Sequence, residues 1–237
     1  MSKTMIKEHI IKYKNQSIHI LIRKNKLSRN YKLTFDKKNI QGLVSIPKHI
    51  SFKNGFDFAQ ENIEWLSNEV NKLNPLIFIK NGSFLLIKGI NTKIIFEKDK
   101  NRKIIVSENK IIIKSDRDNY EKILQLWLRD QILSDSRYYI KLISKQISLN
   151  INEIKLSNSF NYWGSCNTKG IIHLNWRLIF APASVLKYII VHEVCHLKEF
   201  NHTEKFWKLV KKMCPNYNDQ INWLKKNDSY LYRIRFD

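Results

Sequence analysis

The sequence predicts an α+β protein, with most of its strands in the first half and its longest helices in the second. Short apolar runs of alternating or β-branched residues recur up to residue 115, with polar turns between them. From residue 116 the apolar residues recur instead at the spacing of a helix. Residues 184–197 are apolar on nearly every side although they include two histidines, which predicts a buried helix.

The N-terminal part is predicted to contain three strands followed by one helix. The strands are residues 17–24, 30–36 and 42–47, and Pro47 stops the last of them. The helix covers residues 56–73 and ends before Pro75. Its apolar positions recur near a helical repeat and are Phe58, Ile63, Trp65, Leu66, Val70 and Leu73.

A second β-rich layer is predicted next, from apolar runs that polar turns at Asn81-Gly82 and around Asp99 separate. These runs are residues 76–80, 83–90, 92–98, 102–108 and 110–115. A long amphipathic helix should then extend from residue 116 to about residue 149. Its expected core stripe is Tyr120, Leu124, Trp127, Leu128, Ile132, Tyr139, Leu142 and Ile143.

Two further strands are expected on either side of a turn at residues 167–170, one within residues 152–166 and one within residues 170–180. The histidine-bearing helix follows at Pro182 and Ser184. The sequence contains no evident internal repeat or flexible linker. We therefore expect one catalytic unit, with a β-rich N-terminal part over residues 1–115 and a metal-binding catalytic part over residues 116–237.

The composition limits the class of protein. The start of the chain lacks the apolar run of a signal peptide, and no later run is long enough to span a bilayer, so a cytoplasmic protein without a membrane partner is expected. Cys166, Cys195 and Cys214 form no C-x-x-C pair, which argues against a disulfide framework or a zinc ribbon and predicts reduced thiols.

The formal charge of +21 would attract polyanions, so nucleic acid is a possible partner. The chain is also rich in Lys, Asn and Ile and has only 6 Gly and 4 Pro, a bias that A/T-rich codons produce. The lysines are scattered along the chain and do not interleave with aromatic residues. The sequence therefore leaves open whether the charge is functional or compositional.

The stretch "VHEVCHLKEFNHTEKFW" carries the chemistry. Residues four apart lie on one face of a helix, so His192 and His196 can hold one ion. Glu193 follows His192 and is turned partly away from the metal, so it is not expected to be a ligand. It is near enough to hold the water bound to the metal, as the H-E-x-x-H motif requires. Two imidazoles and a carboxylate in a buried helix need partners, and a metal ion supplies them.

A catalytic zinc site has three protein ligands and keeps its fourth position open. The third candidate is His202, for which the chain must turn back, with Asn201 as the expected left-handed helix cap. Thr203 could then begin another helix. Glu199 remains an alternative, either as a replacement ligand, as a hydrogen-bond acceptor for an imidazole, or as a solvated charge.

The histidine helix and the segments around it resemble the YgjP-like metallopeptidase family of metal-dependent hydrolases. The segments are "YWGSC", "IIHLNWRLIFAP", "NHTEKFW" and "CPNY". The resemblance is strongest over residues 163–217 and extends more loosely to "IEWLSNEV" and "LQLWLRDQI", which stand in the family's order.

The resemblance implies a zincin-like catalytic core, in which a small sheet packs on the metal-binding helix. It also implies that His192, His196 and His202 bind Zn2+ and that Glu193 is the general base. The chain departs from the family at two positions, with Tyr162 where a basic residue is usual and Cys195 where alanine is usual.

In zincin folds an edge strand lies along the cleft, and a glycine such as Gly164 permits close approach of backbone. Trp163 either lies at this cleft or anchors the sheet on the helix. The expected activity is a zinc-dependent metallopeptidase that hydrolyses amide bonds of a protein or peptide by Glu-assisted attack of metal-bound water. Tyr162, His173 and Tyr188 are unranked candidates for stabilising the oxyanion. Two alternatives remain: a metal-dependent phosphoester or nucleotide hydrolase, and a DNA-associated SprT-like protease.

Overall fold

The computed structural model describes residues 6–37, 39–73, 75–147 and 151–236. The chain forms two compact units, Met1–Pro75 and Leu76–Asp237, and each is described by itself. The strands between residues 77 and 115 pack with the second unit, although the sequence grouped them with the N-terminal part. A functional division at residue 115 stays a prediction.

The first unit is a four-stranded sheet covered by two helices. Its elements are β1 (Ile6–Tyr13), β2 (Gln16–Asn25), β3 (Lys32–Asp36), β4 (Gln41–Pro47), α1 (Phe52–Glu61) and α2 (Ile63–Asn71). The strand order is β1-β2-β4-β3, with antiparallel outer pairs and a parallel β2–β4 pair in the centre. Alternate residues of β2, namely Ile18, Ile20 and Ile22, are buried against the helices, as the period of a half-buried strand requires.

Two expectations for this unit were wrong. The sequence missed β1, in which apolar and charged residues do not alternate strictly and Ile6 and Ile10 are half-exposed. The single helix predicted over residues 56–73 begins earlier, at the Ser51 cap, and breaks at Asn62, whose side chain donates to the Phe58 carbonyl at 2.8 Å.

The second unit begins with β5 (Ile77–Phe78) and a four-stranded sheet of the same topology. The sheet consists of β6 (Phe84–Ile87), β7 (Ile90–Lys98), β8 (Lys103–Ser107) and β9 (Lys110–Ser115), in the order β6-β7-β9-β8. The central β7–β9 pair is again parallel and the outer pairs antiparallel. The single run predicted over residues 83–90 is bent into a hairpin at Lys88 and Gly89, which both have positive φ. No repeat is evident in sequence, but this topology occurs twice.

The remaining elements build the part of the unit that carries the histidines. They are α3 (Tyr120–Ile147), β10 (Glu153–Ser157), β11 (Gly164–Cys166), β12 (Ile171–Asn175), a 3₁₀ helix (Trp176–Phe180), α4 (Ala183–Cys195), α5 (Glu204–Met213), α6 (Tyr217–Arg233) and β13 (Ile234–Arg235). β13 pairs with β5. The second small sheet has the order β10-β12-β11, so β11 is an edge strand.

The sequence misread three details here. Residues 176–180 form a 3₁₀ helix, capped by the Asn175 side chain, where a strand was expected. The helix α6 was not predicted. Most of the α3 stripe packs in the core as expected, but Leu142 is 43% exposed, and residue 149, at the predicted end of α3, lies outside the described residues. Among the described residues, no helix combines the length and apolarity that a membrane crossing needs.

Candidate metal centre

Three histidines converge at the C-terminal end of α4. His192 lies in the last turn of the helix, His196 caps it, and His202 lies in the loop before α5. One ring nitrogen of each lies within 4.8 Å of the others. The Nε2 atoms of His192 and His202 are 3.0 Å apart. The structure thus brings together the three predicted ligands, while their binding of a metal stays a prediction.

The loop that returns His202 differs from the expected one. The helix ends at Cys195, six residues before Asn201, which was expected to cap it, and Asn201 does not have the predicted positive φ. Turn hydrogen bonds from the amides of Lys198 and Glu199 to the Cys195 carbonyl, both 3.0 Å, reverse the chain instead. Thr203 caps α5 as predicted, since its side chain accepts from the Phe206 amide.

The ring of His196 is oriented by the same loop. Its Nδ1 lies 3.2 Å from the backbone carbonyl of Glu199, an acceptor that requires the proton to be on Nδ1. The lone pair is then on Nε2, the arrangement usual for an imidazole ligand whose other nitrogen donates to the protein. The carboxylate of Glu199 does not belong to the cluster, so its backbone, and not its side chain, contributes here.

Two aromatic side chains of α5 pack against the cluster, and the sequence analysis missed both roles. The fully buried Phe206 stacks on His196 with 4.6 Å between ring centroids and meets His192 and His202 edge-on. Trp207 stacks on His202 at 5.7 Å. The signal was available, because Phe206 lies on the apolar face of a strongly amphipathic helix directly after the third histidine.

Burial sets the protonation of the site. It lowers the pKa of His192 to about 4, assisted by the positive charges that His196 and His202 can carry, and it lowers the pKa of His196. Both shifts favour the neutral imidazole, which is the form that binds metal. Burial also raises the pKa of Glu193, which is only 5% exposed, to about 8. A carboxyl with this pKa can accept and release a proton near neutral pH.

Glu193 lies directly against the edge strand β11. A β-carbon built on Gly164 would lie 2.5 Å from Oε1 of Glu193 and 2.8 Å from its Cγ, closer than atoms can approach. Gly164 therefore makes room for the carboxylate itself, a reason for glycine beyond the expected approach of backbone to substrate. The contact places the half-buried edge strand β11 beside the predicted general base.

An open cleft of about 380 Å³ adjoins His192 and Glu193. Tyr162 and Tyr188, two of the three candidates for stabilising an oxyanion, line it. The third candidate, His173, does not: its neighbours along β12, Ile172 and Leu174, face the core, so His173 faces the opposite side of the sheet. The remaining lining residues are Trp163, Gly164, Ile189, Ile221, Leu224, Lys225 and Asp228.

The wall of this cleft is held by a buried polar network under residues 158–163. Asn175, fully buried, donates from its side chain to the Ser159 carbonyl at 2.6 Å and from its backbone to the Trp163 carbonyl at 2.8 Å. Arg177 donates to the Asn158 side chain at 2.5 Å and lies over the ring of Phe160. Burial and the nearby Arg235 charge lower the pKa of Arg177 to about 10.

Trp163 stacks on Tyr232 of α6 with 4.5 Å between ring centroids, and it also lines the cleft. Both interpretations of this residue therefore hold in part: it anchors the wall, and the wall faces the site. The anchor is α6, which the sequence did not predict, and not α4.

Three imidazoles beside a buried carboxylate, on an α+β framework, define a candidate metalloenzyme. The profile of the YgjP-like metallopeptidase domain matches residues 29–227, so the chain belongs to that family, and the resemblance seen in the sequence is confirmed. The chain is also similar to the crystal structure of the metallopeptidase zymogen of Pyrococcus abyssi abylysin. That similarity has 19% identity and a TM-score of 0.34, and it covers 38% of this chain and 93% of the other. No curated protein matches the chain.

Proposed function

We propose that this metallopeptidase-family protein is a zinc-dependent peptidase, in which His192, His196 and His202 hold the metal and Glu193 is the general base. One observation carries the proposal: the three imidazoles converge beside a buried carboxylate that touches the edge strand β11. This combination supplies metal ligands, a base and a strand edge for a peptide at one place.

The donor set fits zinc. Three neutral imidazoles are the ligands of one well-known kind of catalytic zinc site, and borderline-soft nitrogen donors suit zinc better than calcium or magnesium. The lowered pKa values of His192 and His196 and the contact of His196 Nδ1 with the Glu199 carbonyl support the same assignment.

When bound, the zinc ion would polarise a substrate carbonyl and lower the pKa of water toward about 7. Oε1 of Glu193 accepts the proton of the attacking water and passes it to the nitrogen of the departing amine. Burial supports this role because it raises the pKa of the carboxyl, which makes the carboxylate a stronger base than an exposed glutamate. Phe206 and the apolar face of α4 keep bulk water from the other side of the histidines.

The edge strand supports a zincin-like mode of substrate binding. The strand β11 pairs with β12 on one side and leaves its other edge without a strand partner among the described residues. An extended peptide can add to such an edge through backbone hydrogen bonds. Because Gly164 lies on this strand and touches Glu193, a peptide bound there would pass the base.

The charges of the cleft favour a peptide over a phosphate ester. Among the described residues that line it, Lys225 is the one lysine, beside the acidic residues Glu193 and Asp228. Apart from the bound zinc ion, a polyanionic substrate would therefore find no cluster of basic side chains there. The overall charge of +21 is thus not concentrated where a phosphate would have to bind, and the phosphoester and DNA-associated alternatives have less support.

Replacing Glu193 by Gln tests the proposal. The variant should bind zinc as the parent does, because three imidazoles remain, but should cleave an unfolded protein substrate about 10²–10⁴-fold more slowly. Zinc content and the cleavage rate are measured on one preparation, with a chelator-treated sample as blank.

Glu204→Gln is the matched control, since Glu204 is an exposed residue of α5 whose carboxylate pairs with Lys208. It should change neither quantity. An active Glu193→Gln protein would show that the base lies elsewhere, and a zinc-free one would show that Glu193 is a ligand.

A further inference from the structure

The cleft continues beyond the metal centre into an apolar pocket. Past His192 and Glu193 its walls are Trp163, Tyr188 and Ile189 on one side. Ile221 and Leu224 form the other side. The volume of about 380 Å³ lies in the range of small-ligand pockets, roughly 300–1,000 Å³.

The helix α6 presents one face to this pocket. Counted from Ile221, the lining residues Leu224, Lys225 and Asp228 follow after three, four and seven positions, which is the spacing of a single helical face. Leu224 is 8% exposed and Ile221 is half-buried, while Lys225 is exposed to solvent. The walls of the pocket beyond Glu193 are therefore mainly apolar, and Lys225 and Asp228 lie in the middle of α6.

The pocket is held in shape by contacts that do not involve a ligand. Trp163 is fixed by its stacking on Tyr232, and Tyr232 stacks in turn on Phe160 at 4.9 Å. Tyr188 is 4% exposed and stacks on Tyr217. A pocket with walls that are ordered in advance loses little entropy when a side chain enters it, so its shape can discriminate between substrates.

We propose that this pocket binds a large apolar or aromatic side chain of the peptide substrate, next to the bond that is hydrolysed, with Ile221 as the specificity-determining residue. The inference rests on the proposed function and adds a substrate class to it. A small side chain would leave the apolar walls in contact with water, and a charged one would lose hydration against the same walls.

The test measures binding, so that it does not depend on turnover. N-acetyl amino acid hydroxamates, which chelate zinc through the hydroxamate, are titrated calorimetrically into the zinc-loaded full chain. The side chains compared are those of Gly, Leu, Phe, Asp and Lys. The Phe and Leu compounds should bind on the order of 10–200-fold more tightly than the Gly compound, and the Asp and Lys compounds should bind less tightly than Leu.

Variants of α6 assign the effect to the pocket. Ile221→Glu should abolish the preference for Phe and favour Lys, and Ile221→Ala should reduce the Phe preference without introducing a charge. Asn222→Glu places the same charge one residue further along, on an exposed position outside the cleft, and should leave the series unchanged.

The pocket and the metal centre can be disproved separately. Equal affinity for the Gly and Phe compounds, or a Phe preference that persists in both Ile221 variants, would overturn the pocket assignment and leave the metal centre standing. If no hydroxamate binds to the full chain in the presence of zinc, the proposed metal centre is wrong, and the pocket assignment is overturned with it.

Discussion

The two four-stranded sheets of this protein have the same strand order and directions but different surroundings. In the first unit, β1–β4 pack on α1 and α2 and form a core that includes Ile20, Val44 and Leu66. In the second, β6–β9 share one core with α3 and α4, and that core extends to Phe206 beside the histidines. A sheet of the same topology thus forms the first unit together with two helices, whereas in the second unit it is one layer of a larger core.

The difference shows which elements create the site. Every predicted ligand and base lies between β11 and α5, in elements that have no counterpart in the first unit. Within the described residues of the first unit, no group of three histidines, cysteines or carboxylates could hold a metal ion. The proposed catalytic site therefore depends on the elements from β11 to α5, which accompany the four-stranded sheet only in the second unit.

The largest expected effect is on the third ligand. His202→Ala should reduce zinc affinity by more than the about 10–100-fold that loss of a hydrogen-bonded neighbour of a ligand costs. Glu199→Ala should keep the affinity, because the Glu199 backbone carbonyl that contacts His196 is retained. Competition with a chromophoric chelator measures both. The reverse result, with Glu199→Ala losing zinc, would make Glu199 the ligand in place of His202.

A smaller effect separates two crowded glycines, one in each unit. In Gly164→Ala the new methyl group must displace the Glu193 carboxylate, and a misplacement of about 1 Å can cost 10²-fold in rate. In Gly42→Ala the methyl group would meet Ile20 and Leu66, both at 2.9 Å. That variant should lose about 1–3 kcal/mol of stability and retain full peptidase activity.

Activity per folded molecule and urea unfolding are compared for the two glycine variants. Neither glycine has positive φ, so alanine adds no backbone strain and the comparison isolates the side-chain contact. Equal loss of activity in Gly164→Ala and Gly42→Ala would show that the first unit also contributes to the active site.

The sequence predicted which site residues lie together better than it predicted their surroundings. The spacing of His192, His196 and Glu193 is local to one helix, so the 3.6-residue period alone places them together. The return of His202 was foreseen because a straight helix could not supply a third ligand, but the wrong cap residue was chosen. Helix ends depend on turn hydrogen bonds of single residues, such as those to the Cys195 carbonyl, which composition does not encode.

The contributions of distant segments could not be read from the sequence. The helix α6 carries many polar residues, and Asp228 interrupts its apolar face of Ile221, Leu224 and Leu231, yet it supplies a wall of the cleft and the stack under Trp163. The contact of Gly164 with Glu193 joins a strand and a helix that are 29 residues apart. The repeated topology was hidden because strand pairing is set by long-range hydrogen bonds, whereas the residues at equivalent positions differ.

The smallest predicted effect tests the independence of the two units. Zinc should stabilise only the unit that holds the histidines, because a ligand stabilises the folded state to which it binds. With free zinc at about ten times Kd, the free energy of unfolding should increase by about 1.4 kcal/mol. In a unit of this size, each kcal/mol raises the melting temperature by roughly 2–4 °C.

Calorimetry with and without zinc measures this shift, and one variant in each core identifies the transitions. Ile46→Val and Ile113→Val change fully buried residues of β4 and β9. Each should reduce the free energy of unfolding of its own unit by about 0.5–1.5 kcal/mol and so lower that unit's melting temperature. Zinc should then move the transition that Ile113→Val lowers and leave the other in place, and in His202→Ala it should move neither. If the protein melts in a single transition that zinc moves as a whole, the first unit is coupled energetically to the metal centre. The two sheets would then be parts of one cooperative structure, and the separation of their cores would have no thermodynamic counterpart.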